Sequence, residues 1–207
     1  AALVFPGFEL LDLYGPLEMF GMLNPLGEEI ELLIVGQGDQ PVASAQGPRA
    51  AIDKTFADGA DYDFVLVSGG FGTRTEIDND ALIGWLTEAG GNAACVMSVC
   101  TGASLLARAG LLDNKRATTH KLFFKQMVQT GPATRWVAEA RWVEDGRIWT
   151  SSGVSAGMDM ALAVIAHHYD SAMADQVAVL AEYDWHKDAG WDPFARVHGL
   201  VEEETGS

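Results

Sequence analysis

The sequence predicts an α/β protein built on one doubly wound, mostly parallel sheet with helices on both faces, and three observations lead there. Short apolar runs alternate along the chain with segments whose apolar residues recur at helical spacing, the pattern of strands covered on both faces by crossover helices. Twenty-three glycines suit the tight strand-to-helix turns of such a sheet. A length of 207 residues with 48% apolar content supports one well-buried core and does not require a second. Residues 1–207 are therefore expected to form a single domain, with an irregular tail from about 184 to 207.

Ala1 to Phe5 is an apolar run closed by Pro6-Gly7, a first buried strand and its exit turn. From Glu9 to Leu23 the residues Leu10, Leu13, Leu17 and Phe20 keep helical spacing, interrupted by Gly15-Pro16. A proline there removes a backbone donor and should bend the helix or restart it with Pro16 in the first turn. Ile30 to Val35 is a second strand, and Pro41 to Ile52, with Gly47-Pro48 near its middle, a hairpin or pair of edge strands. Tyr62 to Val67 is the next buried strand and runs into S-G-G-F-G-T-R, Ser68 to Arg74. Glycines at the C-terminal end of a strand border the crevice where ligands bind in open α/β sheets. The Gly-x-x-x-x-Gly-Lys-Ser/Thr pattern of a phosphate loop is absent.

Asp80 to Gly90 is a crossover helix, Cys95 to Val99 a strand, and Thr101 to Gly110 a helix with Ala103, Leu106 and Ala107 on one stripe. Lys115 to Thr119 is a short strand leading to His120, and Leu122 to Val128 a helix. Asp145-Gly146 between two alternating segments marks a hairpin. Ser155 to Tyr169 and Ser171 to Glu182 are helices, and the end segment Glu202 to Ser207 is expected to fray.

The candidate chemistry sits at Cys100, where the strand turns into the helix. A thiol there lies beside the unpaired N–H groups and positive dipole end of the helix, so its thiolate should form more readily than that of a free cysteine. The small neighbours Thr101 and Gly102 let a substrate approach. Cys95, in mid-strand, reads as a small buried hydrophobe. Two cysteines five residues apart in an extended segment cannot be bridged, which suits a reducing cytoplasm. Among the histidines, His120 at a strand end in the same half of the sheet is the best candidate base. Glu18, just after the Gly15-Pro16 break, is by position alone equally a surface glutamate or a functional acid. No metal is expected, because His167 and His168 diverge by about 100° on a helix and no Cys-x-x-Cys or His-Glu-x-x-His occurs. Thirteen basic against 29 acidic residues give a net charge of −16, which argues against nucleic acid and anionic membranes as partners. No signal peptide or membrane-spanning run is expected.

Ser98 to His120, S-V-C-T-G-A-S-L-L-A-R-A-G-L-L-D-N-K-R-A-T-T-H, resembles the nucleophile region of the ThiJ/PfpI superfamily. The resemblance extends to D-L-Y-G-P-L-E, S-G-G-F-G, S-S-G-V-S-A-G-M-D and A-E-Y-D, and so covers most of the first 184 residues. Within the superfamily the chain is most similar to the isocyanide hydratases and to the amidase-like domains of AraC-type regulators. The resemblance implies a flavodoxin-like fold, a homodimer, a small-molecule substrate and no cofactor. It puts the reactive cysteine at Cys100, its acidic partner at Glu18, and backbone donors for developing negative charge at Gly70 and Thr101, with His120 and Gly69 as accessory residues. Glu18 would then lie buried and protonated beside the sulfur. Thr101 stands where peptidase-like members carry a histidine, and Glu18 is one methylene longer than the aspartate the resemblance implies after Gly-Pro. The implied activity is a cysteine-dependent hydratase converting an isocyanide to an N-substituted formamide. The alternatives are a glyoxalase-like or amidase-like enzyme and a non-catalytic ligand-binding or oxidation-sensing module.

Overall fold

Strand pairing in a computed structural model, which describes residues 1–202, follows from where the apolar runs fall. In chain order the strands are β1 (Ala2–Leu3), β2 (Ile34–Gly36), β3 (Val42–Ala43), β4 (Arg49–Ala50), β5 (Lys54–Thr55), β6 (Phe64–Val67), β7 (Cys95–Ser98), β8 (Arg116–Ala117), β9 (Arg135–Trp136), β10 (Trp142–Asp145) and β11 (Ile148–Ser151). The helices are α1 (Leu10–Gly21), α2 (Thr73–Glu76), α3 (Asp80–Asn92), α4 (Gly102–Arg108), α5 (Phe124–Met127), α6 (Ala156–His168), α7 (Ser171–Leu180) and α8 (Pro193–Val197). The main sheet has the order β10-β11-β7-β6-β1-β2-β5. Every neighbouring pair in it is parallel except β10 with β11. This is the mostly parallel, flavodoxin-like α/β sheet that the sequence predicts.

The centre of the sheet carries no alternation because both faces are covered: Val65, Leu66, Val67, Cys95, Val96 and Met97 are all buried. Register then places the site. Val67 of β6 pairs with Ser98 of β7, so the Gly69-Gly70 turn and the Cys100 turn leave the same sheet edge side by side.

Three expectations change. Helix α1 runs through Pro16 without a restart. Proline removes only the bond to the Asp12 carbonyl four residues earlier, and α1 is held by close packing on α6. A Cβ at Gly15 would meet the Met158 side chain at 2.9 Å, and one at Gly157 would meet Pro16 at 3.3 Å. The hairpin loop is Gly146-Arg147, one residue later than expected, because Asp145 still pairs with Ile148, and Gly146 takes the positive φ of 65°. The tail is not irregular throughout. Asp192 caps α8 by accepting from Phe194 and Ala195 N–H, and its carboxylate meets Lys121 Nζ at 3.0 Å with both side chains 1% exposed. Upstream, Asp159 accepts from Arg141 Nε, Tyr183 OH and His186 N–H, which ties the tail to α6. Of the segment expected to fray, residues 203–207 lie outside the described residues. No helix among the described residues is long and apolar enough to cross a membrane.

Candidate active site at the Cys100 turn

Strand β7 ends in a reversal so sharp that Cys100 takes φ 58°, the left-handed region that a non-glycine residue enters at a cost of about 1–2 kcal/mol. Backbone bonds hold it there: Val99 N–H donates to Val67 O at 3.0 Å and Cys100 N–H to Ser152 O at 3.1 Å. Thr119 Oγ1 donates to Cys100 O at 2.8 Å. Gly102 must be glycine, because a Cβ there would fall 2.5 Å from Val67 O. The strained elbow turns the side chain towards a cavity of about 210 Å³, whose lining includes Cys100, Thr101, Gly70, His120, Phe71 and Phe123. Cys100 is 4% exposed.

The acid beside the sulfur is Asp12, and the expectation that Glu18 lies there is corrected. Glu18 is exposed. Six residues along a helix correspond to a rotation of about 240°, so a helix that aims Asp12 at the site aims Glu18 away from it. Asp12 is 0% exposed. Its Oδ2 accepts from Gly69 N–H at 2.9 Å, and its Oδ1 is buried without a hydrogen-bond partner. Its carboxyl also engages the Cys100 thiol.

Burial pushes the Asp12 carboxyl up to about 8, Glu9 adds to the rise, and the Gly69 N–H and the Cys100 thiol oppose it. At neutral pH the carboxyl therefore keeps its proton, which also suits an oxygen with no donor to accept from. Burial likewise pushes the Cys100 thiol up, and a charged Asp12 would push it further. This corrects the expectation that the Cys100 thiolate forms more readily than that of a free cysteine. The opposing groups are the Thr101 N–H and hydroxyl and the Val154 N–H, all of which favour the thiolate. The pair is thus set against carrying two negative charges at once, and a protonated Asp12 can donate a hydrogen bond to the sulfur when the sulfur is ionised.

Of the two expected backbone donors, the structure brings only Thr101 to the sulfur. Gly70 N–H is already donated to Thr101 Oγ1 at 3.0 Å, so it is not free for a developing negative charge. Gly70 serves by its shape: φ is 121°, and a Cβ would fall 2.4 Å from Gly7 O. Thr73 Oγ1 lies 3.2 Å from Thr101 Oγ1, which completes the polar clamp. Gly69, expected as an accessory residue, positions Asp12 through its N–H. His120 lies on the cavity wall, with Nδ1 accepting from Leu122 N–H at 3.2 Å. In the neutral ring the proton then sits on Nε2. Its pKa is lowered, first by burial and then by His198 and Lys121. Cys95, 0% exposed, has its thiol pushed up to about 12, chiefly by burial, as expected of an inert core residue. Among the described residues no three His, Cys, Asp or Glu side chains gather as a metal site requires.

A model of the DJ-1/PfpI family matches residues 1–167. The chain is 31% identical over 181 residues to an isonitrile hydratase of Pseudomonas putida, an alignment covering 87% of this chain and 76% of that one. It is 28% identical over 177 residues to the HTH-type transcriptional regulator CdhR of Pseudomonas aeruginosa, covering 85% of this chain and 52% of the regulator. A crystal structure of a ThiJ/PfpI family protein from Pseudomonas syringae superposes with a TM-score of 0.82 at 30% identity, over 96% of this chain and 82% of that one.

Proposed function

The chain belongs to the DJ-1/PfpI family, and on that premise we propose that it is an enzyme that adds water to a small electrophile, an isocyanide first, through a covalent Cys100 adduct. The observation that carries the reading is the fully buried Asp12 beside the sulfur, with its pKa at about 8. A group that holds a proton at neutral pH and lies against a nucleophile is placed for general acid catalysis. The relative described as an isonitrile hydratase supports the choice of substrate.

The Cys100 thiolate attacks the terminal isocyanide carbon, and that carbon takes the proton from Asp12, giving a thioimidate, R–N=CH–S. Water then adds to the same carbon, with the Asp12 carboxylate relaying one water proton to the nitrogen. Collapse of R–NH–CH(OH)–S passes the hydroxyl proton to the Asp12 carboxylate, expels the sulfur as the thiolate and releases R–NH–CHO, the N-substituted formamide. The sum is one isocyanide plus one water, with the cysteine and the carboxyl returned to their starting state. Thr101 N–H and the Val154 N–H hold the sulfur's charge between steps.

Mass spectrometry of the intact protein during turnover tests this: it should show an adduct on Cys100 equal in mass to the isocyanide, and product analysis should show the formamide. Consumption of substrate without an adduct in rapid-quench samples would count against covalent catalysis. The match to transcriptional regulators supports a second reading, recognition of a small molecule without turnover. It would prevail if substrates bind and protect Cys100 but are recovered unchanged. Pairing as a homodimer and residence in a reducing cytoplasm are part of the same proposal, and sedimentation at micromolar concentration tests the first.

A further inference from the structure

We infer that Arg74 is a specificity-determining residue of the Cys100 site and selects substrates that carry a carboxylate, an inference that rests on that site taking a small electrophile. Arg74, on α2, lines the same cavity as Cys100 and Thr101. Its guanidinium lies 5.2 Å from the Phe71 ring centroid and 5.2 Å from that of Phe123. The two rings meet edge to face at 6.1 Å. Cation–π contacts of this kind restrain a long side chain without using its N–H groups. The guanidinium N–H groups form the fork that binds a carboxylate bidentately. Among the described residues no ion pair engages Arg74, whereas Arg135 and Arg141 each have a carboxylate partner.

The rest of the wall sharpens the choice. Phe71 is 59% and Leu122 58% exposed, so the mouth is apolar and offers little else to orient a polar substrate. His120, with its pKa lowered by burial, does not compete as a cation. The other charged side chain of the lining, Glu9, is already held by Gln46 Nε2 at 2.6 Å and repels an anion towards Arg74. The protein as a whole carries −16, which disfavours anions at long range, so a preference for a carboxylate has to come from a local cation. The cavity, about 210 Å³, is somewhat larger than the roughly 150 Å³ that accommodates benzene. The substrate class is therefore a small electrophile with its reactive carbon at one end and a carboxylate at the other, such as an ω-isocyano carboxylate.

The test compares an ω-isocyano carboxylate with its methyl ester, on the wild type, Arg74→Leu and Arg74→Lys. The wild type should favour the carboxylate by about tenfold or more in kcat/KM. Arg74→Leu should lose that preference mainly through KM, and Arg74→Lys should restore part of it. A parallel reading needs no hydration: alkylation of Cys100 by iodoacetate relative to iodoacetamide should fall about tenfold in Arg74→Leu at low salt, and the difference should shrink as salt rises. A wild type that prefers the ester, or an Arg74→Leu that slows both members of each pair equally, overturns the inference. If neither isocyanide is consumed but the alkylation ratio still depends on Arg74, hydration falls as the reaction and carboxylate selection stands.

Discussion

Asp12→Asn should make the protein more stable at neutral pH and nearly inactive. In the fold the carboxyl titrates at about 8 against an ordinary value of 3.8. Between those values the native state holds a proton that the unfolded chain has released, so this group's contribution to stability falls as pH rises. Its cost is absent below about pH 4, grows by about 1.4 kcal/mol per pH unit, and levels off above about pH 8. At pH 7 it amounts to about 4 kcal/mol. Asparagine keeps an acceptor for Gly69 N–H and cannot ionise, so the cost disappears. Urea unfolding of wild type and Asp12→Asn at several pH values between 5 and 7 measures the difference directly. It should widen with pH by about 1.4 kcal/mol per unit, whatever fixed offset the amide introduces. A difference that stays flat across that range would show that Asp12 ionises in the fold as it does in a peptide, and the acid role would fall with it. Activity should move the other way, with hydration lowered at least about a hundredfold for want of the proton.

Cys100→Ala should abolish turnover, and a variant keeping more than about a hundredth of the rate would remove Cys100 as nucleophile; Cys95→Ala, emptying a small volume in the core, should cost about 1 kcal/mol in urea unfolding and leave the rate unchanged. Glu18→Leu should leave the titration of the Cys100 thiolate, followed by ultraviolet absorbance, where it is in wild type, because Glu18 is exposed. A shift would return Glu18 to the site. Asp192→Asn leaves Lys121 buried without its counter-charge and should cost about 3–5 kcal/mol, whereas Lys121→Met with Asp192→Leu should recover much of that loss; equal destabilisation in the single and double variants would show that packing rather than charge holds the tail.

The contrast between Asp12 and Glu18 shows where the sequence could be read and where it could not. Central strands were legible because continuous apolar runs have one common use in an α/β chain, whereas the register of β6 on β7, both buried on each face, was not. Cys100 was legible because a change of hydrophobic period at a cysteine marks an elbow without any need for side-chain geometry. The acid was not: the resemblance put it at Glu18, just after Gly-Pro, while D-L-Y-G-P-L-E contains Asp12 as well and the helical stripe of Leu10, Leu13, Leu17 and Phe20 does not choose between them. The stripe that matters is Asp12, Gly15, Pro16 and Met19, all buried, and its small members are what let α1 approach α6. Carboxylates are seldom fully buried without a partner, so an aspartate in line with Gly and Pro reads as surface until the helix it packs on is known. Gly70 failed for a related reason: its position at the strand end was right, but a single threonine hydroxyl decides where its N–H points. What hydrophobic pattern determines is which backbone segments meet, and the direction of a few buried polar groups within that frame is set by contacts between residues about 30 to 90 positions apart. The chemistry proposed for this site depends on those contacts, since keeping a proton near neutral pH requires the carboxyl to be desolvated and delivering it requires the carboxyl to lie beside the sulfur.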